Sequence, residues 1–265
     1  MTGSRYLMES EEEARRLSEQ ARALPVHGHL SSTGLSAGMK ALDAGCGPGV
    51  ITSIMADLVG RGGSVLGVDI NQQRLEEARA HCAPLPQCSF VQGDIRKMEL
   101  ASDTFDYVWC QFVIEYLAQP EGALAELIRV TRPGGRVVVA DVDALGLQNW
   151  PVSPELEEGC RKFVAALAAV GLDLHIGRKM FHLYRRAGLE QVRVQLAPLW
   201  VVAGAADARL ITDWRQRFAT LEPVVSPVFG GTSGYQGFCE QYLALLSDPD
   251  ALKYAVLLIT EGQKR

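Results

Sequence analysis

The chain of 265 residues is short of several things, and each shortage closes off a class of function. Basic charge is not in excess: 26 Lys and Arg stand against 31 Asp and Glu, a net −5, so no broad electrostatic attraction for nucleic acid is expected. The six cysteines, Cys46, Cys82, Cys88, Cys110, Cys160 and Cys239, include no C-x-x-C pair and no His/Cys cluster at zinc spacing, which argues against a metal site and for reduced thiols in a cytoplasm. His27, His29, His81 and His182 also lack the carboxylate or cysteine spacing of a metal ligand set. Apolar runs stay well below the roughly 18 residues of a transmembrane helix, and Met1–Gln20 is acidic where a signal peptide would be basic and then apolar. The reading is of no membrane partner and no export. Internal repeats and low-complexity tracts are missing too. The hydrophobic content of 48% is sufficient for a full core.

What is present begins with Gly45-Cys46-Gly47-Pro48-Gly49, directly after the apolar stretch Met39–Ala44 that carries Asp43. Strand, glycine turn and helix follow one another, and glycines let a turn take positive φ and let a ligand lie against the backbone. The dinucleotide fingerprint needs a third glycine where this chain has Val50, and a phosphate-cradling loop needs a Gly-Lys-Ser/Thr that does not follow. The ligand is therefore not read as phosphate-rich. Asp43 would repel an anion and suits a cation, for which a sulfonium carrying an ammonium group is the natural candidate.

Four further apolar runs follow, and they end at chemically useful positions. Ser64–Asn71 places Asp69 about twenty residues beyond the glycines, where a carboxylate grips ribose hydroxyls, with Ile70 next to it. Cys88–Ile95 ends in Asp94, which could accept from an adenine amino group. Phe105–Gln111 and Gly135–Asp141 complete the series, and intervening helices are marked by Asn71 as a cap and by Pro120 as a first-turn residue. Strands alternating with helices call for a mostly parallel sheet with its active mouth at the strands' carboxyl ends.

This order resembles the class I S-adenosylmethionine-dependent methyltransferases over Met39–Val142, with further similarity at His175–Arg178 and Ala187–Leu189. The resemblance implies a Rossmann-like α/β sandwich with a mostly parallel seven-stranded sheet and helical lid elements. It implies S-adenosylmethionine as cofactor and S-adenosylhomocysteine as product. By it, Asp43, Gly45, Gly47 and Gly49 line the methionine end, Asp69 takes the ribose hydroxyls, Asp94 and Ile95 meet the adenine, and Gln111 lies beside the methionine portion. Cys110-Gln111-Phe112-Val113 replaces the Asn/Asp-Pro-Pro-Tyr/Phe of the nucleobase N-methylating branches, so Gln111–Leu117 looks instead like the small-molecule branch.

Four divisions follow: an N-terminal helical cap over 1–38, an α/β core over 39–204, a helical lid over 205–250 and a final core strand within 251–265. A capping box at Ser10–Glu13 opens the first helix. The resemblance to methyltransferases in which an aromatic residue before such a helix closes over the cofactor makes Tyr6 a candidate for that role. Helical spacing recurs at Leu210, Trp214, Phe218 and Leu221, and again at Tyr235, Phe238, Tyr242 and Leu246, on either side of Gly230–Gly234. For most of these aromatics, packing of the added helices is the simplest role. Methyl transfer from a sulfonium needs alignment and exclusion of water, not a covalent catalyst. His175, Asp143, Glu115 and Tyr116 are candidates for an assisting base, and none is assigned. The expected function is methyl transfer to an O, N or C atom of a small organic molecule, in biosynthetic or secondary metabolism, by a monomer or homodimer. A protein or RNA methyltransferase and a non-catalytic S-adenosylmethionine-binding protein are the alternatives.

Overall fold

The computed structural model describes residues 25–265. Tyr6 and the Ser10–Glu13 capping box lie outside the described residues. Seven strands form one sheet: β1 Lys40–Ala44, β2 Ser64–Asp69, β3 Cys88–Gln92, β4 Phe105–Gln111, β5 Thr131–Trp150, β6 Glu190–Ala203 and β7 Leu252–Gln263. Their order is β3-β2-β1-β4-β5-β7-β6. The first five pair in parallel, and β7 runs antiparallel between β5 and β6. The inner strands are nearly continuous apolar runs because both faces are covered. On one face Leu42, Val108, Val137 and Val139 pack against helices α4 (Pro120–Val130) and α6 (Ile176–Arg186) through Leu127, Met180 and Tyr184. On the other, Ala41, Trp109, Val138 and Ile259 meet α1 (Val26–Ser32) and α2 (Val50–Val59) through Leu30, Met55 and Ala56.

Local sequence sets the helix starts. Asn71 caps α3 (Gln72–His81) by accepting from the amides of Gln73 and Arg74, and Pro120 occupies the first turn of α4, where its missing N–H costs nothing. Ser153 caps α5 (Pro154–Ala169) by accepting from Leu156 N.

Two strand ends differ from the sequence expectation. β3 stops at Gln92, and Asp94 lies beyond it in a tight turn bridged to Lys97. β5 continues past Asp141 to Trp150, because the register with β7 shifts between Asp143 and Gln148 and the ladder then resumes to Trp150↔Leu252. Positive φ at Ala144 (52°) and Gly146 (72°) lets the residues between loop out. That break in alternation reads, in sequence, as the end of the strand.

Between β6 and β7 stand α7 (Ala208–Val225), a 3-10 turn (Ser226–Phe229) and α8 (Thr232–Ser247). The glycine break is shorter than it reads: Gly230 and Gly231 take φ of 79° and 112°, and Thr232–Gly234 already form the first turn of α8. The two helices and α5 share an aromatic core in which Trp214 and Tyr242 have ring centroids 4.6 Å apart and Phe218 meets Phe163 edge-on at 5.9 Å. The Tyr242 hydroxyl donates to Gly146 O at 2.7 Å, which ties this layer to the loop of β5. Lys253 on β7, wholly buried, donates to the carbonyls of Gly204, Leu245, Leu246 and Asp248 and so caps the end of α8.

Candidate cofactor site

The glycine turn joins β1 to α2 with φ of 82°, 50° and 80° at Gly45, Gly47 and Gly49. The three positions have different reasons to lack a side chain. A Cβ on Gly45 would collide with Val113, in the loop after β4. On Gly49 it would come within 3.0 Å of Ala78 Cβ, so this glycine permits the close approach of α2 and α3. On Gly47 it would meet no protein atom within 4 Å: the space beside this residue is open, as a backbone that cradles a ligand requires.

Asp69 ends β2 and braces the turn. Its Oδ2 accepts from Gly47 N at 2.8 Å and its Oδ1 from Asn71 N at 2.9 Å, and each oxygen retains a lone pair for a ligand hydroxyl. Asp43 is buried at the end of β1, where Thr52 of α2 donates to its Oδ2 at 2.6 Å. Burial pushes the Asp43 carboxyl up to about 7, the Thr52 hydroxyl opposes this, and the Asp69 charge adds to the rise. Asp43 is thus a buried group that anchors the start of α2 and sits on the edge of ionisation, a burial that its place at the end of an apolar run does not show in sequence. Two carboxyls at one turn form a site complementary to a cation.

Gln111 ends β4, buried, and neither Oε1 nor Nε2 of its amide has a hydrogen-bond partner among the described residues. An unpaired buried amide costs roughly 1–3 kcal/mol unless a ligand or water satisfies it. Ile95 is buried against Val68 and Val108, and Ile70 is exposed just past β2. Asp94 does not stand open for an adenine amino group: Arg96 engages both of its oxygens at 2.6–3.0 Å and holds its carboxyl below the ordinary range. Its remaining acceptor capacity is shared with an exposed ion pair.

Sequence reasoning did not single out Thr52 or the role of Asp141. Asp141 is fully buried and accepts from the amides of Val142 at 2.9 Å and Glu115 at 3.2 Å, with Ile114 and Val113 N also directed at it. It thus pins the loop after Gln111, in which Phe112 takes a φ of 55°, and burial pushes its own carboxyl up to about 7. The acid at the end of the fifth apolar run was the available signal; its inward direction is tertiary.

Of the base candidates, Asp143 is bound by Arg178 through two contacts of 2.6 and 3.1 Å, and Glu115 is buried in the 3-10 turn Ile114–Tyr116. His175 precedes α6 with Nδ1 4.0 Å from Asp143 Oδ1; burial and the Arg178 charge lower its pKa, so the ring is neutral near pH 7. Among the described residues no group of three or more His, Cys, Asp or Glu could hold a metal ion.

Residues 35–188, more than half of the chain, match the family model described as a methyltransferase domain. A demethylmenaquinone methyltransferase of Lysinibacillus sphaericus is 29% identical over 167 residues, covering 58% of this chain and 71% of that protein. Methyltransferase GfsG of Streptomyces halstedii is 26% identical over 235 residues, covering 86% of this chain and 76% of its own. Other matches span under half of the relative's length: that to an uncharacterised 37.1 kDa protein in a Streptomyces fradiae transposon, 40% identical over 106 residues, covers 40% of this chain and 31% of that protein. The fold is that of the solved YcgJ protein of Bacillus subtilis, with a TM-score of 0.63 at 16% identity over 91% of this chain and 98% of the other. The glycine turn, the acids at the ends of β1 and β2 and the family match converge: the chain belongs to the methyltransferase-domain family and is a class I S-adenosylmethionine-dependent methyltransferase.

Proposed function

We propose that the enzyme moves the methyl group of S-adenosylmethionine, by direct displacement, to an O, N or C atom of a small organic molecule in biosynthetic or secondary metabolism, in the cytoplasm. The observation that carries the small-molecule reading is the aromatic helical layer at the carboxyl end of the sheet, anchored to β5 through the Tyr242–Gly146 hydrogen bond. A compact apolar layer there encloses a modest acceptor and excludes water better than it admits a folded polymer. The relatives named demethylmenaquinone methyltransferase and GfsG support it. Residues 205–250 are the lid in this reading, 1–38 the cap, and 39–204 with 251–265 the core.

In the cofactor site, Asp69 takes the ribose hydroxyls, the Gly45–Gly49 turn and Asp43 face the methionine end, Gln111 satisfies its amide on the methionine portion, and Ile70 and Ile95 flank the adenine, with Asp94 contributing through the capacity that Arg96 leaves it. The cofactor supplies the activated methyl group. The chain's task is to hold the acceptor in line with it and to keep water away. Calorimetric titration with S-adenosylmethionine, S-adenosylhomocysteine and NADH tests the assignment. Micromolar binding of the first two, weakened at least about tenfold by Asp69→Ala, is the expected outcome. Unchanged affinity in the variant removes Asp69 from the site.

A further inference from the structure

Two thiols stand together behind the glycine turn, and methyl transfer has no use for them. Cys82 closes α3 as its C-cap residue and Cys88 opens β3. The segment between them folds back on itself: Leu85 N donates to Cys82 O at 2.9 Å and Cys88 N donates to Leu85 O at 3.0 Å. Its far end is tied down, since Gln87 O accepts from Val65 N at 2.9 Å and the Gln87 amide donates to Ala56 O at 3.1 Å. Both cysteines face α2. Cys88 packs against the buried cluster that includes Met55 and Val59, and Cys82 Sγ lies 3.5 Å from Gly49 O, where α2 begins. The two sulfurs meet there, with the Cys82 thiol hydrogen-bonded to that of Cys88. Both are free thiols.

The two thiols are not equivalent. Cys82 is buried, whereas Cys88 is partly open to solvent. Donation from Cys82 holds the Cys88 thiol below the ordinary thiol range, and the same contact, with burial, pushes Cys82 up. Cys46, on the glycine turn, is pushed up by burial and by the charges of Asp43 and Asp69, and stays an inert thiol. We propose that Cys82 and Cys88 form a redox-modification site, a dithiol that a hydroperoxide converts to a reversible disulfide and that reports to the cofactor turn through Gly49. The Cys88 thiolate attacks the peroxide: an S–O bond forms, the O–O bond breaks, and the departing oxygen leaves as water with one proton from the medium. Cys82 then gives up its proton and attacks the Cys88 sulfur, the S–S bond forms, the S–O bond breaks, and a second water leaves. Two thiols are oxidised by two electrons and one hydrogen peroxide is reduced to two waters. Transient disulfides of this kind are the sort found on chains whose thiols rest reduced. Cys88 is held in the β3 ladder opposite Val65, so closing an S–S bond of about 2.05 Å moves the helix end, and Cys82 Sγ leaves Gly49 O. Ala78, one turn before Cys82, is the residue on which Gly49 packs, so the disturbance reaches the turn that carries Gly47. This coupling rests on the cofactor assignment made above; the disulfide chemistry does not.

The test is treatment of the full chain with dilute hydrogen peroxide, followed by tryptic mass mapping and by titration with S-adenosylmethionine. Cleavage after Arg79 and Arg96 yields one peptide that holds Cys82 and Cys88 and no other cysteine. That peptide should become lighter by two hydrogen atoms before any other cysteine reacts, and dithiothreitol should restore it. Cys88→Ser should abolish the change, whereas in Cys82→Ser the Cys88 thiol should stop at a sulfenic acid that dimedone traps. The oxidised parent should bind S-adenosylmethionine at least about threefold more weakly, the effect of losing one weak S–H···O contact at the turn. By linkage, saturating S-adenosylmethionine should make the disulfide easier to reduce by the same factor. Oxygen added to Cys88 with no loss of hydrogen in the parent overturns the proposal, as does earlier reaction of Cys160 or Cys239. A disulfide that leaves affinity unchanged, or an equal loss of affinity in peroxide-treated Cys88→Ser, overturns the link to the turn. A parent protein that binds no S-adenosylmethionine even when reduced would instead count against the cofactor assignment, and the mass result would stand apart from it.

Discussion

Asp43→Asn changes one atom of a buried group and separates its two roles. The carboxyl ordinarily ionises near 3.8 and is pushed up to about 7 in the folded chain, chiefly by burial. A raised folded value means that the native state holds the proton more tightly than the unfolded chain. Its stabilising effect is complete below the unfolded value, declines as pH rises between the two, and is gone above the folded value. Between about pH 5 and pH 7 the native state should lose about 2 kcal/mol through this group. Asp141, buried and shifted in the same direction to about 7, adds a similar loss. Urea unfolding of the cofactor-free protein across that range should show a stability that falls as pH rises, and Asp43→Asn, whose amide oxygen still accepts from Thr52, should reduce the slope by about half. A cationic cofactor beside the turn would pull the Asp43 proton off. Its binding should therefore tighten as pH rises through the same window and release protons, measurable by titration in buffers of different ionisation enthalpy. The variant should bind more weakly and release fewer. An unchanged unfolding slope would refute the account of Asp43 as a buried, half-ionised carboxyl. An unchanged proton release would refute its place beside the cofactor's charge.

Three other substitutions probe separate parts of the architecture. Gln111→Leu removes an amide that the described protein leaves unpaired, so stability to urea should hold or rise by about 1 kcal/mol while S-adenosylmethionine affinity falls at least about tenfold; a destabilised protein with normal affinity would reverse the assignment. Gly47→Val places a β-branched residue at positive φ, at a stability cost of about 1–2 kcal/mol, but points its bulk into the open space, so cofactor binding should be lost from a folded protein, as circular dichroism and calorimetry together will show. Gly146→Ala drives a methyl group into Trp214 and the Tyr242 hydroxyl. It should lower the urea midpoint by an amount equivalent to about 2–3 kcal/mol and alter the near-ultraviolet dichroism of the aromatic layer, with cofactor affinity changed by less than about threefold.

The residues read as cofactor-binding fall into two groups once the fold is known. Gly45, Gly47 and Gly49 could be picked out in sequence because a strand–turn–helix junction at positive φ leaves few other choices, but which glycine serves packing and which serves the ligand depends on Val113 and Ala78, brought up from other elements. Asp69 and Asp43 look alike in sequence, each an acid closing an apolar run. Tertiary structure leaves Asp69 partly open, with two backbone donors, and buries Asp43 under Thr52. Asp94 loses its openness to a neighbour two residues away, a local ion pair that the strand pattern gives no reason to expect.

Sequence by itself determined the class of the fold and the end of the sheet at which its chemistry gathers, because apolar period, glycine turns and helix caps are local and act before the chain is folded. The bounds of β5, the direction of Asp141 and the ion pair that occupies Asp143 were decided only by tertiary structure. Each depends on which residue from a distant part of the chain arrives alongside: Leu252 opposite Trp150, Glu115 above Asp141 and Arg178 on Asp143. Burial, the common cause of the raised carboxyls at Asp43 and Asp141, is a property of those meetings and is written in no single stretch of residues.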